Sequence, residues 1–120
     1  MIHTMRLNEK PFASMYNGKK TIELRLWDEK RRAVSVGDTI IFEHASGDGR
    51  KIKAEVLCLH VFSDFAELYA SLPLEKCGYD ASEIASASPD DMNEYYSPEE
   101  QRRLGVVGIE ISVSGIENNG

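Results

Sequence analysis

The chain has 120 residues, 42% hydrophobic and 28% charged, a balance typical of one globular domain with a real core. From this length we expect one domain at residues 1–114, followed by a flexible tail at 115–120, and no second domain. Its longest apolar run, 56–62, is far shorter than the roughly twenty residues that span a bilayer, and the N-terminus does not resemble a signal peptide. Two cysteines, Cys58 and Cys77, make no disulfide framework, so we expect a cytoplasmic protein with no membrane partner.

Charge is distributed unevenly along the chain. The formal net charge of -6 argues against a nucleic-acid partner, because affinity for phosphate comes from lysine and arginine. Residues 1–62, however, hold eleven Lys or Arg against eight Asp or Glu, whereas 63–120 hold three against twelve. The basic half predicts attraction of an anion, and the acidic half predicts weak binding to long polyanions. Two solvated faces of opposite sign are the alternative.

The first elements are a strand, a helix and a second strand. Residues 4–7 alternate like a strand, and Asn8 is a predicted cap for a helix through about Asn17. Gly18 ends that helix, because glycine adopts the left-handed conformation readily. From 21 to 27 the pattern alternates strictly, with three aliphatic residues on one face and Thr21, Glu23 and Arg25 on the other. An acid and an arginine two residues apart, just after Lys19 and Lys20, indicate a polar ligand; a surface ion pair is the alternative.

The middle of the chain predicts three further elements. A basic loop at 28–35 leads to a strand at 39–43, and a glycine-rich turn at 46–49 joins it to a long strand at 51–61. The long strand changes face midway, which is typical of a bent barrel strand. A helix at 64–72 follows, with Ser63 as its predicted cap.

The last third predicts two short helices and a final strand. Ser88 and Ser97 each precede a proline and acidic residues, which is the pattern of a helix start. Residues 106–113 alternate like a strand. Five strands and several short helices in mixed order predict an α+β fold, a mixed β-barrel of five to six strands with short helices covering one side.

Several of these segments resemble one known family. The spacing Gly18-x-Lys20-x-x-Glu23-x-Arg25 is similar to the signature of the ASCH domain, a module of the PUA-like superfamily. Segments 11–12, 36–42 and 95–109 also look like the bacterial single-domain members. The resemblance covers roughly residues 4–113. It implies a PUA-like barrel with a cleft between barrel and helices, lined by the signature Lys, Glu and Arg, and RNA as the usually proposed ligand.

The residue types fit an RNA, nucleotide or modified-nucleoside ligand. A guanidinium at Arg25 suits a phosphate or base edge, and Glu23 can hold cations or accept from an amine or ribose hydroxyl. Aromatic residues near the cleft are candidate stacking surfaces, with core packing as the alternative. The predicted ligand-binding residues are Lys19, Lys20, Glu23, Arg25, Trp27, Arg31, Tyr95 and Tyr96.

A small hydrolase is the alternative function. Some ASCH proteins that resemble this chain are amidohydrolases of acetylated cytidine, and others are proposed ribonucleases; the amidohydrolases use a Lys, a Thr and a Glu. Lys20 matches that lysine, but Glu23 stands at the position of the threonine. Thr21 lies one step away on the same face. The predicted catalytic residues are therefore Lys20, Glu23 and Thr21, with Glu94, Glu99 or Glu100 as a second acid.

Other site classes have less support in the sequence. His3, His44 and His60 are far apart, and Cys58-x-His60 is half of a metal site, so we expect no metal and no cofactor. A protein-interaction module built on the acidic helices stays open, although those helices form no sustained apolar stripe. The oligomeric state is not predicted.

Overall fold

The computed structural model describes residues 1–117. Its strands are β1 (Ile2–Leu7), β2 (Ile22–Leu26), β3 (Thr39–His44), β4 (Lys51–Phe62) and β5 (Val106–Glu117). Its helices are α1 (Glu9–Tyr16), α2 (Glu29–Arg32), α3 (Phe65–Ser71), α4 (Ala81–Ile84) and α5 (Pro98–Leu104), with 3-10 helices at Leu74–Cys77 and Pro89–Glu94. No helix within this range is long and apolar enough to cross a membrane.

The strands form one mixed sheet in the order β1-β3-β4-β5-β2. β1 runs parallel to β3, and the other neighbouring pairs are antiparallel. This confirms the predicted α+β class with five strands and short helices. Within the described residues β1 and β2 are the two edges of the sheet, so backbone pairing does not close the barrel. The gap between β1 and β2 is where the candidate functional site lies.

Each face of the sheet has its own hydrophobic core. The inner face, defined by Met5, Phe42 and Ile109, is covered by Phe12 and Met15 of α1. On the outer face lies a second cluster that joins strand residues to α3 and the 3-10 helices, namely Ile22, Leu24, Leu26, Val106, Phe65, Leu68, Cys77 and Met92. Two layers over one sheet allow a chain of this size to bury a sizeable core.

Some predicted boundaries differ from the structure. The expected basic loop contains α2, because the Asp28 side chain accepts from the Arg31 N–H and caps a helical turn. Asp64, not Ser63, caps α3 by accepting from the Glu67 N–H. The sequence did not predict α4 or the 3-10 helix at Leu74–Cys77.

The predicted bend of β4 and the predicted helix starts are confirmed, whereas β5 is longer than expected. β4 has register shifts near Ala54 and Cys58, which confirms the predicted bend. β5 continues to Glu117 by pairing with β4, so 115–117, predicted as tail, are strand. The rest of the predicted tail, 118–120, lies outside the described residues. The predicted capped starts at Ser88 and Ser97 are confirmed, each with a capping box.

Candidate functional site

The charged face of β2 points to the inner side of the sheet. In the antiparallel ladder Glu23 lies opposite Ile109 and Arg25 opposite Val107. Directly opposed residues share a face, and both partners belong to the inner core. The aliphatic face of β2 is buried too, beneath the helices. Alternation was therefore predicted correctly, but the charged face is not solvent-exposed: Glu23 is only 5% exposed.

Lys20 reaches this face from the turn between α1 and β2. The turn begins at Gly18, which has φ +80°, and the Lys20 N–H donates to the Ser14 carbonyl. The next residue, Thr21, donates its backbone N–H to Lys76, which ties the turn to the 3-10 helix Leu74–Cys77. A Cβ at Gly78 would lie 3.5 Å from Cδ of Lys20, so the helical segment closes directly over the lysine stem.

The Lys20 ammonium is fully committed to protein acceptors. Its Nζ lies 3.1 Å from the carbonyl of Ile22, 2.9 Å from that of Cys77 and 3.1 Å from Oε1 of Glu23. An ammonium has three N–H donors, and these three acceptors match them. With 5% exposure, this lysine is a buried structural cation.

Glu23 is the centre of the charge cluster. Its Oε1 faces Lys20 and accepts from the Leu24 N–H, while Oε2 accepts from Nε and Nη2 of Arg25 at 2.8 and 2.7 Å. Burial opposes its ionisation, but the charges of Lys20 and Arg25 outweigh burial and hold the pKa of Glu23 below its ordinary value. The carboxylate is ionised, and the cluster of two cations and one anion carries a net positive charge.

Arg25 links the two edges of the sheet. Its Nη2 donates to the backbone carbonyl of Arg6 in β1 at 2.6 Å while its Nε holds Glu23. Burial opposes the charge, but Glu23 outweighs it and raises the pKa of Arg25, so the guanidinium stays cationic. The side chain spans the gap that backbone pairing leaves between β1 and β2.

A pocket of about 520 Å³ opens over this gap. One wall comes from β1, α1, β2 and the turn between α1 and β2, and it carries Arg6, Lys10, Lys20 and Arg25. The other wall comes from the helical segment 78–96 and carries Glu83, Asp91, Glu94, Tyr79, Tyr95 and Tyr96. A basic wall therefore faces an acidic and aromatic one. Lys10 and Glu83 connect the two walls through an ion pair of 2.5 Å.

The second wall contains a chain of hydrogen bonds from Tyr69 through Tyr79 to Asp91, called here the tyrosine relay, which the sequence did not predict. Tyr79 donates its hydroxyl hydrogen to Oδ2 of Asp91 at 2.7 Å, and its oxygen lies 2.6 Å from that of Tyr69. Since Tyr79 has one hydroxyl hydrogen, Tyr69 is the donor to Tyr79. Burial and hydrogen bonding raise the pKa of Tyr79, and burial raises that of Tyr69, so both stay neutral. These residues come from three separate segments, and no spacing in the sequence connects them.

The structure brings five of the predicted site residues into the pocket lining: Lys20, Glu23, Arg25, Tyr95 and Tyr96. Tyr95 is 56% exposed, whereas Tyr96 is stacked on Phe65 in the outer core. Tyr95 is thus the ring with a free surface for a ligand. Of the proposed second acids, Glu94 lines the pocket, while Glu99 and Glu100 do not.

The other predicted residues lie outside that lining. Trp27 packs on the inner core beneath the Arg32 guanidinium, 5.6 Å from its ring centroid, and Arg31 pairs with Asp28. Lys19 is exposed, and Thr21 uses its backbone to join β5 and the 3-10 helix. Their roles in binding or catalysis stay predictions. Residues 1–117 contain no group of three or more potential ligands placed to hold a metal ion.

Comparison with known proteins identifies the class to which this fold and site belong. The family model "ASCH domain" matches residues 5–114, so the chain belongs to the ASCH domain family. The predicted resemblance is thereby confirmed. A search of curated proteins found no match.

Solved structures agree with this assignment. The crystal structure of hypothetical protein PH0355 is 34% identical, with a TM-score of 0.78 over 95% of this chain and 100% of that one. The solution structure of protein PF0455 from Pyrococcus furiosus is 33% identical, with a TM-score of 0.68 over 94% and 97%. ASCH from Zymomonas mobilis, at 14% identity and a TM-score of 0.59 over 91% of this chain and 65% of that one, shares the fold.

Proposed function

We propose that this ASCH protein binds one nucleotide unit, free or within single-stranded RNA, in the pocket over Lys20, Glu23 and Arg25. The observation that carries the proposal is the buried, net positive cluster at the base of a pocket of about 520 Å³. Small-molecule sites commonly measure about 300–1,000 Å³. The pocket has room for a base, a ribose and a phosphate.

The two walls match the two ends of a nucleotide. The guanidinium of Arg25 is held in place before any ligand arrives, and a preorganised cation binds phosphate with little loss of side-chain entropy. Opposite it, the exposed ring of Tyr95 offers a stacking surface for a base. Glu83, Asp91 and Glu94 supply acceptors for amines or ribose hydroxyls.

Charge favours one unit over a long strand. Arg31 pairs with Asp28, and Arg32 donates to the carbonyls of Trp27 and Leu104. The basic segment 29–32 is therefore largely engaged with its own fold and lies outside the pocket lining. A polyanion that extended from the pocket would also meet the acidic wall.

Binding has more support than hydrolysis by the same residues. General acid–base catalysis needs a proton or a lone pair available to substrate. The three donors of Lys20 and both oxygens of Glu23 are already used within the protein. Their arrangement supports a positioning role, with Arg25 as the group that meets the ligand.

Calorimetric titration with the four ribonucleoside monophosphates and the matching nucleosides tests the proposal. We expect saturable binding of at least one monophosphate, tighter than that of its nucleoside because the phosphate meets Arg25. A variant with Lys30, Arg31 and Arg32 all changed to alanine should keep this binding. No binding of any monophosphate, or its loss in the triple variant when circular dichroism shows an intact fold, contradicts the proposal.

A further inference from the structure

A second cluster of reactive side chains lies outside the pocket, on β4 and β5. Cys58 and His60 are two residues apart on β4, and Glu110 lies opposite Cys58 in the β5 ladder. Sγ of Cys58 is 3.9 Å from Nδ1 of His60, whose Nε2 is 2.9 Å from Oε1 of Glu110. A thiol, an imidazole and a carboxylate thus stand in one row.

The order of the row defines the tautomer of the imidazole. The Glu110 carboxylate can only accept when ionised, so Nε2 of His60 carries the hydrogen and donates it. Nδ1 then has its lone pair directed to the sulfur of Cys58. A carboxylate that orients a histidine in this way also stabilises the imidazolium that forms when the histidine takes a proton. Nδ1 of His60 is therefore placed to accept the Sγ–H proton of Cys58 when the thiol reacts.

The cluster is open to small molecules. Cys58 is partly exposed, and the side chains of His60 and Glu110 are 29% and 41% exposed. None of the three lines the pocket described above. The register shift next to Cys58 turns this end of β4 so that Cys58 and His60 lie opposite Glu110 and Gly108. The space over Gly108, opposite His60, is filled by apolar side chains: Cδ1 of Leu72 and Cγ2 of Ile22 lie 2.6 and 3.1 Å from where a Cβ would stand, so they border the cluster on that side.

We propose that Cys58, His60 and Glu110 form a reactive-thiol site that exchanges with small disulfides. The Sγ–H proton passes to Nδ1 of His60, and the thiolate attacks one sulfur of the disulfide. That S–S bond breaks as the new one forms, and the leaving thiolate takes the proton from the imidazolium. The products are a mixed disulfide at Cys58 and one free thiol. His60 acts as the base, and Glu110 is a positioning residue.

Cys77 provides an internal control for this chemistry. It is 5% exposed in the outer core, and burial raises its pKa to about 11. A buried thiol with a raised pKa is a poor nucleophile. The two cysteines of one chain therefore differ in both exposure and activation, and glutathione disulfide should modify Cys58 alone.

The test is the rate of glutathionylation at pH 6.5, followed by mass spectrometry and peptide mapping with glutathione disulfide as the probe. The wild type should react at Cys58 at least about tenfold faster than His60→Gln, because a free thiol is about 1% thiolate at that pH. Glu110→Gln should lie between them, whereas Glu55→Gln, a change at an exposed glutamate of β4, should match the wild type. Between pH 6.5 and 8.5 the rate should rise much less in the wild type than in His60→Gln.

Two controls complete the design. Cys58→Ser should take up no glutathione, and in urea-unfolded wild type the rates of the two cysteines should converge. Equal rates for the wild type and His60→Gln at pH 6.5, with native circular dichroism for both, would overturn the proposal. Faster modification of Cys77 than of Cys58 in the folded chain would overturn it as well.

Discussion

Arg25 donates from Nη2 to the backbone carbonyl of Arg6 at 2.6 Å and thereby joins the two edge strands of the sheet. The same guanidinium grips Glu23 through Nε and Nη2. The Arg25 side chain thus connects β1 to β2 across the gap, where no backbone hydrogen bonds in the described part of the chain join the two strands. Because the pocket lies over that gap, the closure of the fold and the proposed ligand site depend on the same residue.

Replacement of Arg25 by lysine should weaken nucleotide binding while the cluster keeps its net charge. A lysine cannot make the forked contact to Glu23 and reach Arg6 as well. Loss of charge-assisted hydrogen bonds of about 1.5–3 kcal/mol corresponds to roughly a ten- to hundredfold rise in Kd, measurable by calorimetry. Arg102→Lys, a change at an exposed arginine of α5, is the matched control and should bind like the wild type. Equal affinity for the two variants would show that Arg25 does not contact the ligand.

Glu23→Gln should destabilise the fold, because it leaves Lys20 and Arg25 buried without a counter-charge. Removal of one partner from a buried ionic cluster costs about 3–5 kcal/mol, which urea denaturation at pH 7 measures. Glu55→Gln, at an exposed position of β4, should change stability little. If the two variants unfold at the same urea concentration, the cluster has no structural role.

The pH dependence of stability should also report Glu23. Its pKa in the folded protein lies below the ordinary value of 4.5, so the stabilisation is fully present above that value. It is lost as the pH falls from that value through the folded-state pKa, when the carboxylate takes up a proton. Urea denaturation between pH 7 and pH 3 should show the wild type losing its advantage over Glu23→Gln as the medium becomes acidic. An advantage that stays constant down to pH 3 would contradict the linkage.

Tyr79→Phe should loosen the acidic wall of the pocket. Its hydroxyl is the middle member of the relay, so the variant removes a donor from Asp91 and an acceptor from Tyr69. We expect a loss of about 1–2 kcal/mol in the free energy of unfolding and weaker nucleotide binding. Tyr95→Phe keeps the exposed ring, so this variant should have nearly the same free energy of unfolding and nucleotide affinity as the wild type. Similar effects from the two hydroxyl deletions would mean that the relay does not organise the wall.

Acetate release distinguishes a binder from an amidohydrolase. With acetylcytidine as substrate, we expect no turnover by the wild type, since Lys20 and Glu23 are engaged with each other and with their neighbours. Glu23→Thr would place a threonine at the position of the threonine in the acetylcytidine amidohydrolases that this chain resembles, and it is the substitution expected to raise activity. Robust acetate release by the wild type that is abolished in Lys20→Ala, with native circular dichroism for both, would show that the protein is an amidohydrolase and not only a binder.

The sequence predicted the local elements better than the burial of the site. Alternation located β2, and serine–proline starts located the helices at 89 and 98, because these signals depend on neighbouring residues. The same alternation could not show that both faces of β2 are covered, since Lys20 and Glu23 have the polarity of surface residues. Their burial depends on mutual neutralisation, which only the tertiary structure reveals.

Long-range partners were beyond the sequence patterns. The Arg6 carbonyl that accepts from Arg25 belongs to a strand nineteen positions earlier, and backbone groups carry no signature of their partners. The wall formed by 78–96 likewise depends on how short helices fold back over β2. The five strands follow from local chemistry, but the pocket follows from how their edges meet.

The most direct test of the central claim is an NMR titration of the labelled protein with the four ribonucleoside monophosphates. Binding in the pocket predicts saturable shifts of the Arg25 side-chain Nε–H resonance and of backbone amides near Tyr95 and Gly78, with those of 29–32 unmoved. Shifts confined to 29–32, or no saturable shifts at millimolar nucleotide, would contradict it.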